Sequence, residues 1–586
     1  MRGTAHGLAL VSAAARRGTH CGPDADLLER IAARNRAEMS NDGDKFRKIG
    51  GGIALHAKLD LGARRVADVA SMATMFRGYE TLLSKRKLHE VGLISATASG
   101  ICGGVHAATS AQCLEMALGI KPPPLGIVAR NLLLACQYLN DNPMHLFILS
   151  GPDYSESAIR ATNPEIWAKA ERAPARRADV HGYATVGAIM SALDRPGGRL
   201  FTEALEKMRL ARAAYALIGG KYPHSESIVP GGVALTLPVD RLDAFLAKLA
   251  PFDDYARRCA RIWDDVFDFL YECDPRYRDL GRTDADLIDF GQWDHERHYD
   301  ATYANCDAWG EARLSTPGAV IDGALVTTRL SRLNDGMEEF VERAFYQDWD
   351  GTRHPWNKAI HRSPDKPGAY SWAPALAWDR HSFEVGATAR LYISALARKM
   401  PGSDFVHSTG ASLVFGGLEW HVPKVWNAFE RNRARAYAVA FNLAAVRECH
   451  ARAKALIAGG ETEMRVAFDL PGDGRRLGVG FGGAGRGMLA HWAVLDGAEI
   501  ENYQIAIPSR INAAPRTPWG ELGPMEQAVM NTAIVESNFT GPEDFCGIDI
   551  VRAIQSFDPC MPCKAELSFK GALFTSAKEV TSDGLI

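Results

Sequence analysis

Ser99-Gly100-Ile101-Cys102-Gly103-Gly104-Val105-His106 near one end of the chain and Asp558-Pro559-Cys560-Met561-Pro562-Cys563 near the other carry the residues on which fold and chemistry turn. In the second stretch, the two residues between Cys560 and Cys563 let both sulfurs point at one centre from a tight turn, and Asp558-Pro559 in front favours that turn. Taken alone, such a pair is compatible with a redox dithiol, half of a zinc site or chance. No second Cys-x-x-Cys or Cys-x-x-His accompanies it, so zinc is weakly supported. In the first stretch the glycines let the backbone crowd a cofactor, and His106 comes four residues after Cys102. A site built from both stretches needs the ends of the chain to meet. That favours one intertwined, α-rich body with small strand ribbons over a string of independent domains.

The chain has 586 residues, 47% hydrophobic and 23% charged, which is ample for a large core. A formal charge of -3 gives no field that argues for nucleic acid or an anionic membrane, so a nucleic-acid role is excluded. The 11 cysteines are scattered and odd in number, which does not describe a disulfide framework and points to a reducing, cytoplasmic compartment. Cys113, Cys136, Cys259, Cys273, Cys306 and Cys449 have no motif partners and read as small buried hydrophobes. No apolar run reaches the roughly 20 residues needed to cross a bilayer.

Residues 1–45 show little periodicity and read as a flexible N-terminal extension. Alternation over residues 48–60 predicts a strand, and spacings of three and four predict helices over 132–147, 201–218, 242–271 and 425–457. Residues 285–425 are dense in Trp, Asp, His, Gly and Pro and predict irregular excursions packed on a helical centre. The main body then spans 46–566 and a tail spans 567–586. Gly478, Gly480 and Gly483 match a dinucleotide fingerprint in form. The residues after Arg486 alternate as a strand and open no helix, so a nucleotide site is not supported.

Several segments agree with one family: Phe76-Arg77-Gly78-Tyr79-Glu80, Ala117 to Pro124, Gly151-Pro152-Asp153-Tyr154, Pro230-Gly231-Gly232, Tyr370-Ser371-Trp372, Glu430 to Arg435 and Gly485-Arg486-Gly487. With the two cysteine motifs they resemble the large subunits of nickel-iron hydrogenases over about residues 48–566, and within them the actinobacterial, oxygen-tolerant type. The chain reads as a divergent member, because Ser99 stands where the family has a nickel-ligating cysteine and Thr97 where it has an arginine. The resemblance implies an α+β, mainly α fold with a central helical bundle and small β-ribbons. It also implies an iron-sulfur small subunit as partner, a dimer of such heterodimers, and attachment to a membrane only through a partner.

By the same resemblance, Cys102 and Cys563 would bridge nickel and an iron carrying carbon monoxide and cyanide, and Cys560 would bind nickel terminally. Ser99 offers a hard, barely acidic oxygen in place of the remaining thiolate, which argues against tight nickel binding. Glu80 would pass protons to and from Cys560, and Arg486 would overhang the metals. Asp153 and Asp558 would orient that arginine, Ser509 would donate to a cyanide nitrogen and His106 would support a bridging sulfur. A structural magnesium is in question, because Gly50 stands for its glutamate and Glu566 lies three residues after Cys563 where the family has a histidine. The implied reaction is heterolytic splitting of hydrogen. The alternatives are a repurposed iron-centred enzyme without nickel, acting on another small molecule, and a non-catalytic scaffold or regulatory subunit.

Overall fold

The computed structural model describes residues 52–349, 353–357, 359–397, 406–560, 563–569 and 578–581. Its centre is a bundle of long helices: α1 (Gly103–Leu118), α2 (Pro124–Pro143), α3 (Arg199–Gly219), α4 (Phe252–Cys273) and α5 (Ala428–Ala458). α5 packs along both α2 and α4, and α3 also packs on α2. Residues 428–446 of α5 are buried almost all round, as expected of a helix at the middle of a large core. Its start is fixed by Asn427, whose side chain accepts from the Glu430 amide, and Gly459-Gly460 come after its last turn. The helix expected over 242–271 is two helices, Val239–Leu249 and α4, because Pro251 stands between them. The helix expected over 132–147 starts earlier, at Pro124, and gives way to a π-helical turn at Met144–Leu149.

The strands include β1 (Ile53–Asp60), β2 (Arg65–Ala73), β3 (Ala375–Trp378), β4 (His381–Ser382), β5 (Arg475–Ala484), β6 (Gly487–Asp496), β7 (Glu499–Ala506), β8 (Cys563–Phe569) and β9 (Lys578–Thr581), with further short pieces between them. Small ribbons on a helical centre are the architecture expected from sequence.

Two of these sheets set the site. In the first, β1 pairs with β2 on one edge and runs parallel to β8 on the other, in register from Ile53 opposite Cys563 to Leu59 opposite Phe569. Leu567 of β8 is fully buried among Ile53, Leu55, Phe545 and Phe557. The end of the chain that carries Cys563 is therefore tied to its beginning by main-chain hydrogen bonds and a shared apolar core.

The second sheet is β5-β6-β7, and β5 lies directly on α1. The alternate residues Gly478, Gly480 and Gly482 face that helix. A Cβ at these positions would fall 2.1 Å from the Cys113 carbonyl oxygen, 2.1 Å from the Thr109 carbonyl oxygen and 1.9 Å from Thr109 Oγ1. The glycine-rich run is thus a close-packing surface between strand and helix, which accounts for its resemblance to a nucleotide loop without any nucleotide. It also brings the β5–β6 turn, with Arg486 at its tip, over the start of α1.

Candidate metal centre

Cys102 is the residue from which α1 starts. Gly103 and Gly104 come next because nothing larger fits: a Cβ on Gly103 would lie 2.2 Å from the His224 ring, and one on Gly104 would lie 1.9 Å from the Tyr215 hydroxyl. Ahead of the helix, Ser99 Oγ accepts hydrogen bonds from the amides of Ile101 at 3.1 Å and Cys102 at 2.9 Å. The Ser99 carbonyl accepts from His224 Nε2 at 3.0 Å. Arg77 donates to the Ala98 carbonyl at 2.5 Å and the Tyr79 hydroxyl to the Thr97 carbonyl at 2.7 Å, so the Arg-Gly-Tyr-Glu element clamps the loop that presents Ser99.

From the other end of the chain, Cys560 arrives beside this loop. Its Sγ lies 3.3 Å from Ser99 Oγ, and its amide donates to Ser509 Oγ at 2.9 Å. Cys102 Sγ lies 3.9 Å from Asp141 Oδ2. The neighbouring Cys102 thiol first, then Arg486 and Ser99, pull the Cys560 thiol down to about 6 against burial. Cys560 and burial push Cys102 up.

Arg486 is buried above both thiols. Its Nη1 lies 3.1 Å from Cys102 Sγ and 3.2 Å from Asp141 Oδ2, and its Nη2 lies 3.4 Å from Asp558 Oδ1. Asp558 takes a left-handed conformation, with φ 52°, and also faces His145 Nδ1 at 3.3 Å and Arg435 at 3.9 Å. His145 Nε2 is held in turn by Asn432, so the Glu430–Arg435 stretch of α5 acts on the site through Asn432 and Arg435. Burial raises Asp141 to about 6 against the pull of Arg486. Asp558 is held below the usual carboxylate range, because Arg486, His145 and Arg435 outweigh its burial.

Glu80, on the short helix Tyr79–Leu83, is pushed up by burial and drawn back by Arg510, whose Nη1 is 3.9 Å away. His106 sits on α1 with Nδ1 at 3.1 Å from His491 Nε2, and His491 Nδ1 is 2.7 Å from the Tyr503 hydroxyl. Burial holds both rings neutral, His106 down to about 3. The hydrogen bond found for His106 is therefore to an imidazole, where support of a sulfur was expected. Ser509 meets the Cys560 amide. The Cys563 backbone opens β8, but its side chain lies outside the described residues, as do Met561, Pro562, Gly50 and the side chain of Glu566. The expected magnesium ligands therefore fall outside the described residues as well.

Asp153 departs from expectation. Its carbonyl accepts from Arg552 Nη2 at 2.7 Å, its Oδ2 is buried without a hydrogen-bond partner, and burial pushes the carboxyl up to about 7 against Arg552 and Arg195. The carboxylates on Arg486 are those of Asp141 and Asp558. Sequence reasoning missed Asp141 because it stands in Leu139-Asn140-Asp141-Asn142, outside the segments that carry the resemblance; only its place near the end of α2 turns it toward the thiols. His224, in Tyr222-Pro223-His224, escaped notice for the same reason.

The profile of the family "Nickel-dependent hydrogenase" matches residues 77–176 and 199–565. The chain belongs to this family. It is similar to the Hydrogenase-2 large chain of Escherichia coli K12, 24% identical over 576 residues that cover 89% of this chain and 96% of that protein. It is also similar to the Uptake hydrogenase large subunit of Bradyrhizobium diazoefficiens, 26% identical over 573 residues, 86% of this chain and 91% of that one. Among solved structures, the actinobacterial-type NiFe-hydrogenase from Ralstonia eutropha H16 superposes with a TM-score of 0.83 at 34% identity, over 86% of this chain and 96% of that chain. The Ni-Fe-Se hydrogenase of Desulfomicrobium baculatum shares the fold, with a TM-score of 0.67 at 22% identity. The fold is that of a hydrogenase large subunit, with the helical bundle and ribbons described above.

The family implies a metal centre, and the described residues fit one. Arg486 Nε is buried without a hydrogen-bond partner, on the guanidinium whose Nη1 lies 3.1 Å from Cys102 Sγ. Leaving such a donor unpaired in a folded core costs roughly 1–3 kcal/mol. An acceptor atom on a metal-bound group between the cation and the sulfurs would satisfy it.

Proposed function

We propose that this chain is the large subunit of a nickel-iron hydrogenase-type oxidoreductase that works with an iron-sulfur small subunit, as a dimer of such heterodimers in the cytoplasm or held to a membrane by a partner. The observation that carries the reading is Arg486 fixed by Asp141 and Asp558 over Cys102. Cys102, Cys560 and Cys563 would hold the metals, the iron with its carbon monoxide and cyanide. When bound, such a centre supplies the two-electron chemistry of hydrogen.

The chain's own residues bind and move protons around it. Cys560 Sγ, poised by Arg486 and Ser99, can take or give a proton. Glu80, whose affinity for a proton burial raises, can relay it outward, and Arg510 beside its carboxyl restrains that rise. Arg486 excludes water from above the sulfurs and donates toward them. His106 and His491, neutral and hydrogen-bonded to each other, brace α1 against β6 without adding charge beside the sulfurs.

Ser99 alters the donor set. A hydroxyl has two acceptor sites and one proton. Both acceptor sites are occupied by the amides of Ile101 and Cys102, so the proton points to Cys560 Sγ. We read Ser99 as a hydrogen-bond donor that steadies the Cys560 thiolate, and the nickel place as short of one ligand. Leu567 is buried and β8 runs on to Phe569, past the expected boundary at 566. No helix among the described residues is long and apolar enough to cross a membrane.

Elemental mass spectrometry for nickel and iron on the protein purified with its partner, corrected for the partner's clusters, tests the reading. Nickel and iron in equal amounts support a complete centre. Iron without nickel supports an iron centre whose vacant place was opened by Ser99, and neither metal overturns the proposal in favour of a scaffold.

A further inference from the structure

We propose that Asp286, His381 and Glu521 form a binding site for a divalent transition-metal cation, zinc or a neighbour of zinc, separate from the cysteine centre. The three come from different parts of the chain. Asp286 immediately precedes the strand Leu287–Asp289, His381 opens β4, and Glu521 lies in the loop between the helices Pro508–Asn512 and Pro524–Met530. One donor atom from each lies within 4.8 Å of the other two, and it is the one such cluster among the described residues. A cation held at about 2.0–2.2 Å needs its ligands no more than roughly 4 Å apart, a spacing reached here by small side-chain rotations.

The backbones that carry the donors are already fixed. The Asp286 carbonyl accepts from the Glu384 amide at 2.7 Å, which ties it to the ribbon that bears His381. His381 pairs with Trp378 across the β3–β4 hairpin. The Glu521 carbonyl accepts from the Thr517 amide at 2.8 Å, and its amide donates to Thr517 Oγ1 at 3.0 Å. The ligands also have outer partners of the kind that orient metal-bound carboxylates: the Asp322 amide donates to Asp286 Oδ1 at 2.7 Å, and Trp519 Nε1 to Glu521 Oε2 at 3.0 Å.

The carboxylates of Asp322 and Asp284 beside Asp286 add negative charge that favours a bound cation. Arg329 and Arg332, which line the cleft beside His381, are committed to Asp307 and Asp379, and Arg380 stacks on Trp519, its guanidinium carbon 4.0 Å from the ring centre. His381 opens on a cleft of about 480 Å³ lined also by these arginines and Trp378, which gives an ion a way in.

An imidazole with two carboxylates suits zinc, manganese or ferrous iron better than magnesium or calcium, which favour oxygen throughout. Bound there, the ion would clip the loop that leads from Ser509 toward Glu526 onto the β3–β4 ribbon. It would act as a structural staple, and the inference stands whether or not nickel occupies the cysteine centre.

The test uses the full-length protein with its partner, stripped with a chelator and titrated with Zn²⁺ alone, then with Co²⁺ as an optical probe. The expected result is a cobalt site without the near-ultraviolet thiolate-to-cobalt absorption that cysteine ligands give. Zn²⁺ should raise the melting temperature, and affinity should fall by about tenfold or more in each of Asp286→Asn, His381→Ala and Glu521→Gln. Unchanged affinity in the variants, or cobalt bound only with thiolate absorption, overturns the proposal. Should His381→Ala fail to fold, Glu521→Gln, in a surface loop, carries the test.

Discussion

Ser99 Oγ lies 3.3 Å from Cys560 Sγ across the junction of the two ends of the chain, while accepting the amides of Ile101 and Cys102. One hydroxyl thus fixes the loop ahead of α1 and contacts the opposing sulfur. Replacing it by alanine strands two amides and should cost about 0.5–2 kcal/mol, the usual loss of such a cap. Urea unfolding of the metal-free protein measures this; a loss of zero would show that the hydroxyl is not the acceptor.

Ser99→Cys would supply the thiolate that the nickel place lacks on the proposed reading. Nickel per chain should rise in protein matured in the same cells, with iron unchanged. Elemental analysis reads both, and unchanged nickel would mean that the missing ligand is not what limits occupancy.

Arg486 balances two buried carboxylates, Asp141 and Asp558. Arg486→Ala leaves those charges with less compensation and should destabilise the fold by roughly 3–5 kcal/mol, whereas Arg486→Lys should retain a large part of the stability. Chemical denaturation of both variants separates the charge from the guanidinium geometry. Equal stability of the alanine variant and the parent would overturn the assignment.

Gly480 faces the Thr109 carbonyl so closely that a Cβ would sit 2.1 Å from its oxygen. Gly480→Ala should push β5 off α1 at a cost of about 1–3 kcal/mol and shift Arg486 away from the sulfurs. Lower melting temperature together with lower metal content is expected; a normal metal content would mean that the β5–β6 turn is held by other contacts.

Glu526 is fully buried, accepts from the amides of Ser71 and Gly523, and is raised by that burial from 4.5 to about 7 despite Arg516. The folded state therefore holds this proton more tightly than the unfolded chain does. The stability it contributes is present below pH 4.5 and is lost as pH rises from 4.5 through about 7. Glu526→Gln, which stays neutral, should flatten that part of the melting temperature against pH, and an unaltered slope would count against the shift.

The helices are legible in the sequence because a buried face repeats every three to four residues whatever surrounds it, and α5 begins and ends within a few residues of expectation. The break at Pro251 is hidden because apolar spacing continues across it. The glycines of β5 show that something approaches the backbone closely, but only the packed structure identifies the neighbour as the Thr109 turn of α1.

By itself the sequence determined the family and the helical centre, since those depend on residue types at short, fixed spacings. Tertiary structure alone decided which carboxylates meet Arg486, that Ser99 spends its lone pairs on amides, and that Asp286, His381 and Glu521 converge. These relations join residues far apart in the chain. Their geometry is set by helix rotation, strand register and close packing, none of which is written in local spacing.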